Sequence, residues 1–435
     1  MGSLEVDYTF LEACYTGQLK ESILPFWQKN SYDSEHGGFF TCFSNDGSRL
    51  LSTNKYIWSQ GRMVWILSKL SKLDIFTPKE KDEFIAQARH TMDFMLEHCF
   101  LDQNMTCAFL VSRDGTPLEE VAGQGLSPST FADCFVCLAM IAYMDASGDL
   151  FCVDQLEKLF KSILQRYYTK NYQTSPFYLP PDTDYHAIPM ILLNVCNEYG
   201  DFLLNIEKTE KAKEIYNMAS KFCNTILDTF VLSDGTLLEM VNPDCQTEDL
   251  FLYSYVNPGH ALEDCWFMLV CAVREKNEQN IRRIFSVIDK SFQLGWDSEF
   301  GGIRYYVHKD GGPPHGVCKN EMEEKAALQM NQDCNNKLWW PNTEGMYTTL
   351  LAYYLSGIKK YFDMFTKIHT YTLETFPNPD KTVGEWIQLR DREGKPFMQN
   401  VGGRLPVKDP YHITRNLILL IELVRQFKKQ YEQME

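Results

Sequence analysis

Two histidines end two similar four-residue segments, NPGH at His260 and DPYH at His412. Asparagine and aspartate are good helix N-caps, and proline suits the first helical position, so each histidine is predicted in the first turn of a helix. The positive end of the helix dipole there favours a neutral imidazole and stabilises a nearby anion. A neutral imidazole beside a developing oxyanion is what proton abstraction next to a carbonyl requires.

Each histidine has a charged residue three positions later, Glu263 after His260 and Arg415 after His412. Residues three apart share a helix face, so both charged groups are predicted beside the imidazoles. Glu263 could equally be an ordinary first-turn acid. Arg415 is more telling, because a cation is disfavoured near a helix N-terminus. A single histidine at a helix start is often only a polar surface residue, but two histidines at matched positions favour a functional role.

Two more predicted helix starts carry aromatic and polar residues together, KYIWSQGR ending at Arg62 and KLWWPNTE ending at Glu344. Aromatic rings stack on sugar rings, and arginine or glutamine binds hydroxyl groups. An amphipathic helix start would look similar. The chain has no metal-ligand spacing, glycine-rich dinucleotide fingerprint or P-loop.

A repeat of about 72 residues runs through the chain. Five segments are predicted as β-hairpins, because aromatic or apolar residues flank a glycine-containing turn. Their spacing leaves one turn missing near residues 170–185, where the chain is rich in proline. The turn glycines are Gly47, Gly115, Gly235, Gly311 and Gly394. A fixed period of this length indicates a repeat architecture, here of six units.

Helical periodicity fills the segments between these turns. Twelve helices with one hairpin every second helix predict an all-α fold, an (α/α)6 barrel with short β-hairpins at one end, formed by a single domain over residues 1–435. A polar insertion is predicted around 313–337. The helices are predicted at about 5–30, 54–72, 78–99, 128–147, 150–168, 185–203, 208–229, 258–275, 277–294, 341–356, 358–376 and 410–433.

Composition excludes several classes of partner. The formal net charge of −16 argues against nucleic acid and anionic membranes, which both attract basic patches. We see no basic and apolar leader and no apolar run of about 18 residues, so a cytoplasmic protein without a membrane span is expected. The 14 cysteines are scattered, and are predicted to be reduced.

Taken together, the motifs resemble those of the N-acylglucosamine 2-epimerase superfamily, which includes renin-binding protein, cellobiose 2-epimerases and mannose isomerases. The resemblance spans residues 33 to 415 in the order of the family. The matching pieces are DSEHGGFF from Asp33, YIWSQGR from Tyr56, NPGHALE from Asn257 with Trp266, GWD from Gly295, Gly301-Gly302, KLWWP from Lys337 with Glu344, GEW from Gly384, and Tyr411-His412 with Arg415.

The resemblance implies an (α/α)6 barrel, a homodimer in many members, and catalysis without a metal or redox cofactor. It implies that His260 and His412 are the acid–base pair. Renin-binding members are stimulated by nucleotide, but no residue here decides whether this chain is. The positions that match substrate-binding residues are Arg62, Asn194, Glu263, Glu344 and Arg415.

Two departures bear on the substrate rather than on the fold. Asn342 stands where the epimerase branch has histidine, and Ala132-Asp133 stands where it has Ser-Glu. The expected activity is C2 epimerisation of an aldose, such as N-acetylglucosamine or glucose, through an enediolate. The alternatives are an aldose–ketose isomerase of the same superfamily, a glycoside hydrolase using carboxylates such as Asp133, and a non-catalytic sugar-binding protein. Arg415 favours the epimerase, since isomerase branches tend to lack it.

Overall fold

The computed structural model describes residues 7–242, 249–397 and 407–432, and its main elements are helices. The helices are α1 (Tyr8–Gly17), α2 (Leu24–Asn30), α3 (Ile57–Lys72), α4 (Pro78–His98), α5 (Thr130–Ser147), α6 (Val153–Tyr168), α7 (Ala187–Asn205), α8 (Thr209–Thr229), α9 (Pro258–Arg274), α10 (Glu278–Gly295), α11 (Glu321–Asp333), α12 (Trp339–Ser356), α13 (Lys359–Thr375) and α14 (Tyr411–Glu432).

Six helices form a closed inner ring in the order α3, α5, α7, α9, α12 and α14, with α14 returning to α3. Nearly every residue in the first turns of these helices is buried, because they pack against neighbours on both sides and against outer helices behind. The outer helices are amphipathic, with one buried face and one exposed face. The prediction of an (α/α)6 barrel is therefore confirmed.

The predicted first helix is interrupted and the predicted insertion contains a helix of its own. α1 passes into α2 through a π-helical turn, Gln18–Ile23, just before a proline that lacks the N–H needed for regular helical bonding. α11 lies in the insertion and was not among the twelve predicted helices. It packs against a short 3₁₀ helix, Phe251–Tyr253.

Short strands connect the repeats at one end of the barrel. All five predicted turn glycines have positive φ, between 75° and 99°, which glycine adopts without a steric penalty. The strands are β1 (Cys42–Phe43), β2 (Leu50–Ser52), β3 (Lys55–Tyr56), β4 (Leu110–Val111), β5 (Pro117–Leu118), β6 (Asp184–Tyr185), β7 (Met240–Val241), β8 (Tyr255–Val256), β9 (Val307–His308), β10 (Lys337–Leu338) and β11 (Leu389–Arg390).

These strands pair in two ways. β1 with β2 and β4 with β5 form predicted hairpins, around Gly47 and Gly115, whereas other pairs link neighbouring repeats. β3, β6, β8 and β10, each just before an inner helix, pair with β4, β7, β9 and β11 of the following repeat. A bridge between Ser129 and Thr174 replaces the pair where the turn glycine is missing. The Lys408 N–H donates to the Thr41 carbonyl and completes the circle. Six backbone links therefore hold the N-termini of all six inner helices at one end.

Among the described helices, one is long and apolar enough to cross a membrane by length and composition alone, and the expectation that the chain has no membrane span stays a prediction. This helix is α5, Thr130–Ser147, and 83% of its apolar window is buried inside the barrel. Its apolar character follows from its position in the inner ring, where it contacts α3, α7 and α6. The described cysteines are free thiols, as predicted, and nearly all of them are buried.

Candidate active site

A cavity of about 210 Å³ opens at the end of the barrel where the inner helices begin. A single water needs only about 10–15 Å³ on the same measure, so the cavity has room for a sugar-sized molecule. Aromatic side chains make up much of its wall, including Phe43, Trp58, Phe131, Phe135, Phe177, Tyr185, Tyr305, Trp339 and Trp340. Both predicted catalytic histidines line it, with Arg62, Glu263 and Arg415.

His260 lies in the first turn of α9, which is capped as the sequence predicted. The Asn257 side chain accepts from the backbone N–H groups of Gly259 and His260. The His260 Nδ1 atom lies 3.0 Å from Oε1 of Glu239, which is buried at the end of the third hairpin. An ionised carboxylate only accepts hydrogen bonds, so Nδ1 carries a proton and Nε2 is the nitrogen left to exchange a proton with a molecule in the cavity.

Glu239 is itself held by a second histidine. The backbone N–H of His186 donates to the Glu239 carbonyl at 2.9 Å, and the His186 Nδ1 atom lies 3.5 Å from Glu239 Oε1. His186 Nε2 lies 2.8 Å from Oδ2 of Asp264. Burial by itself would raise the pKa of Glu239, but His260 and His186 outweigh burial and lower that pKa to about 2. Glu239 is therefore a carboxylate at neutral pH.

His412 lies opposite, in the first turn of α14, with Nδ1 2.7 Å from Oε1 of Glu344. Burial lowers the pKa of His412 to about 3, since it outweighs the carboxylates of Glu263 and Asp409. The imidazole is therefore neutral at pH 7. Because Glu344 holds the Nδ1 proton, Nε2 is the basic atom available to a molecule in the cavity.

Arg415 joins the two glutamates near His412. Its guanidinium donates to Oε1 of Glu344 at 2.5 Å and to Glu263, and the side chain is 2% exposed. Glu263, Glu344 and His412 form a group whose ligand atoms are close enough to hold a metal ion. The guanidinium already supplies the positive charge between the two carboxylates, so this donor set fits an ion-pair network better than a metal.

Arg62 enters the cavity from α3 and is held by a residue that the sequence analysis treated only as a helix cap. The Arg62 Nη1 atom donates to Oδ2 of Asp409 at 3.0 Å. Asp409 also accepts from the Tyr411 N–H at 2.8 Å, and its Oδ2 lies 3.7 Å from His412 Nε2. The cap of α14 therefore places a carboxylate beside the basic nitrogen of His412.

Trp340 lies between the two catalytic histidines. Its ring centroid is 5.1 Å from that of His260 and 5.5 Å from that of His412. The indole packs so close to the first turn of α9 that a Cβ on Gly259 would lie 2.6 Å from it. Glycine in the NPGH segment is therefore needed for the two imidazoles to flank one wall of the cavity.

Two of the predicted substrate-binding residues do not lie where the resemblance implies. Asn194 is buried in α7, one turn below the residues of that helix that line the cavity, Ala187, Met190 and Ile191. Glu344 is fully buried behind His412 and bonds to it rather than facing the cavity. The first-turn geometry of α7 and α12 directs other side chains inward.

The sequence analysis missed Glu239 and Asp409 as site residues. Asp409 had a signal, because it precedes the proline of the DPYH segment. Glu239 had a weaker one, because it lies four residues after the turn glycine Gly235, and only the strand pairing of β6 with β7 brings it to His260. His186, at the start of α7, was not predicted as a site residue either, and the structure places it behind Glu239.

Two imidazoles, each in contact with a buried glutamate, line one aromatic cavity at the end of a helical barrel. This arrangement is typical of an enzyme that catalyses proton transfer. Comparison with known proteins supplies the family. The model of the N-acylglucosamine 2-epimerase (GlcNAc 2-epimerase) family matches residues 38–415. The N-acylglucosamine 2-epimerase of Rattus norvegicus is 30% identical over 416 residues, covering 94% of this chain and 90% of its own.

Solved structures with the same fold include the cellobiose 2-epimerase of Spirochaeta thermophila, with a TM-score of 0.75 at 18% identity, covering 98% of this chain and all of that one. A D-mannose isomerase has a TM-score of 0.72 at 16% identity, with 98% and 100% coverage. The chain belongs to the N-acylglucosamine 2-epimerase family. It is an isomerase, a sugar 2-epimerase.

Proposed function

We propose that this protein inverts C2 of a neutral aldose by proton transfer between His260 and His412. The observation that carries the proposal is the matched pair of imidazoles, each with Nδ1 bonded to a buried glutamate and Nε2 left for the cavity. N-acylglucosamine is the first substrate to test, because it is the substrate in the names of relatives about 30% identical to this chain.

The reaction requires the open-chain aldehyde, whose carbonyl acidifies the C2 proton. One histidine takes this proton through Nε2, and the electron pair moves into the C1–C2 bond and onto the carbonyl oxygen. The other histidine, protonated at Nε2, returns a proton to the opposite face of C2. The product is the C2 epimer, and the two histidines have exchanged protonation states.

The intermediate is an enolate, or an enediolate for a 2-hydroxy aldose, and groups that line the cavity can stabilise its negative charge. Arg62 and Arg415 both line the cavity. The Arg62 Nε atom is buried and, within the described part of the chain, has no hydrogen-bond partner. The N-termini of six inner helices also point toward this end of the barrel, and their dipoles favour an anion. Positioned donors of this kind lower the barrier to charge development.

Aromatic walls and paired charges suit a polar but uncharged ligand. Trp58, Trp339 and Trp340 offer faces for the apolar side of a sugar. The carboxylates of Glu263 and Asp409 are acceptors for hydroxyl groups. These acceptors also disfavour an anionic substrate, since a negative charge would lie beside them in a partly desolvated site.

The test is incubation in heavy water with N-acetylglucosamine, N-acetylmannosamine, glucose, mannose and cellobiose, followed by proton magnetic resonance. We expect one of these aldoses to yield its C2 epimer with deuterium at C2. An isomerase would produce a ketose, with the proton delivered to C1. Ketose as the main product from the start of the reaction would replace the epimerase mechanism, and no turnover of any aldose would contradict the proposal as a whole.

The assembly and location of the protein are separate proposals. We infer a homodimer from the family resemblance and a cytoplasmic location from the free thiols of the described cysteines. Sedimentation of the purified chain and fractionation of its source cells test these two statements, and a monomer or a secreted protein would contradict them.

A further inference from the structure

Each catalytic histidine is backed by a chain of three charged groups, and the two chains are built alike. His412 contacts Glu344, Glu344 contacts Arg415, and Arg415 contacts Glu263. On the other side of the cavity, the order is His260, Glu239, His186 and Asp264. The order in both is imidazole, carboxylate, cation and carboxylate. The two chains differ in the cation, which is an arginine on one side and a histidine on the other.

We propose that His186 is a positioning residue for catalysis, a buried imidazolium that holds Glu239 ionised and thereby fixes the protonation of His260. The inference rests on the proposed two-histidine mechanism, in which His260 takes up a proton at Nε2 in one direction and gives it up in the other. Both nitrogens of His186 face carboxylate oxygens, at 2.8 Å and 3.5 Å. Nε2 forms a hydrogen bond to Asp264, whereas Nδ1 has no hydrogen-bond partner among the described residues and lies at ion-pair distance from Glu239. Two carboxylates this close favour the positively charged form of the histidine.

Among the residues that the structure describes, no other cation contacts Glu239 and Asp264 in place of His186. It is fully buried at the N-terminus of α7 and does not line the cavity. The facing groups are Glu239 from the third hairpin, Asp264 from α9 and the apolar ring of Phe230 at the end of α8, 5.8 Å away. Burial would lower the pKa of His186, but the two carboxylates raise it to about 9. Burial raises the pKa of Asp264, which the charge of His186 opposes.

The role has a consequence for pH dependence. Below about pH 9, His186 is charged and neutralises part of the charge of Glu239. Without that charge, Glu239 would stabilise the imidazolium form of His260, because a carboxylate 3.0 Å away favours the protonated ring. His260 would then act as a base only at higher pH. A fixed arginine on the His412 side has no such titration.

The experiment measures kcat and KM against pH for the wild type, His186→Gln and Asp264→Asn. We expect both variants to move the acidic limb of kcat/KM to higher pH by roughly one unit, which is a tenfold loss on that limb. KM should stay unchanged, since neither residue contacts the cavity.

His369→Gln is the matched control, because His369 is a partly buried histidine that bonds to Tyr15 between outer helices, outside the cavity. It should lower stability without moving the pH profile. Wild-type pH profiles in both folded variants would overturn the inference, and so would the same shift in the control. His260→Asn distinguishes this failure from failure of the mechanism. If His260→Asn keeps near-wild-type turnover, the two-histidine mechanism is wrong, whereas an inactive His260→Asn beside an unshifted His186→Gln refutes only the role of His186.

Discussion

The chemistry of the site depends on which nitrogen of each imidazole is occupied by the protein. Both histidines were predicted from sequence because N-caps and prolines fix the register of a helix start. Their carboxylate partners were not predicted in these roles. Glu344 was expected to bind substrate, and Glu239 was not singled out. A spacing rule gives neighbours along one helix, whereas these contacts join separate repeats.

Replacing either catalytic histidine should remove most turnover. We expect His260→Asn and His412→Asn to lower kcat by ~10²–10⁴-fold, the usual contribution of a general acid or base, while the fold is retained. His90→Asn is a suitable control, since His90 bonds to Tyr32 away from the cavity. Circular dichroism and steady-state assays of the three variants check this. A near-wild-type rate in either site variant would contradict the two-base mechanism.

Asp409 should matter for catalysis through its charge rather than through its cap. Asparagine caps helices as well as aspartate does, so Asp409→Asn should keep α14 intact. It removes the carboxylate that holds Arg62 at 3.0 Å, and we expect kcat/KM to fall by about tenfold or more. Asp7→Asn, at the exposed cap of α1, is the matched control and should leave kcat/KM unchanged. Equal kinetics for both variants would show that Asp409 is only a cap.

At the scale of the elements, the turn glycines and the hairpins around Gly47 and Gly115 were predicted correctly, but the pairing of strands between neighbouring repeats was not predicted. A tight turn is determined by the local sequence, because a single glycine can supply the positive φ that the turn requires. Pairing β3 with β4, or β10 with β11, depends on how neighbouring repeats pack in the ring. The helix α11 was also missed, because its sequence is largely polar and it fills only about half of the predicted insertion at 313–337.

Two buried ion clusters hold the strand ends together and repeat almost identically. Lys55 of β3 bonds to Asp33, and Arg113 from the next hairpin bonds to the same carboxylate. Lys337 of β10 and Arg392 likewise form ion pairs with Asp297. The aspartates open the related segments DSEHGG and DSEFGG. The two clusters therefore fasten repeats together on different sides of the ring.

Removing either buried lysine should destabilise the protein strongly. Lys337→Met or Lys55→Met leaves a buried carboxylate with one cation fewer, and breaking such a pair costs about 3–5 kcal/mol. Lys395→Met removes an exposed ion pair with Glu393 and should cost at most ~1 kcal/mol. Urea unfolding followed by circular dichroism measures the difference. A buried-lysine variant as stable as the Lys395 control would show that the clusters contribute little.

At the scale of the whole molecule, the sixfold order was predictable because five turn glycines carry it in the printed sequence. The ring then determines where chemistry can occur, since all six inner helices start at one end. No unbroken apolar run marks α5, because polar residues interrupt it, but its 18-residue window is apolar on average and 83% of it is buried inside the barrel.

Catalysis by this barrel should not depend on a metal ion. The three groups closest to a metal site, Glu263, Glu344 and His412, are already bridged by Arg415, and a divalent cation would have to displace that guanidinium from a buried position. Proton transfer between two imidazoles also needs no Lewis acid when arginines and helix N-termini stabilise the enolate charge.

We expect full activity after exhaustive dialysis against a chelator, with no stimulation by added zinc, manganese or magnesium. Arg415→Lys serves as the comparison, because lysine keeps the charge but not the forked geometry, and it should lose activity that metals do not restore. Activity that disappears on dialysis of the wild type and returns with one metal would show that the cation belongs in this cluster.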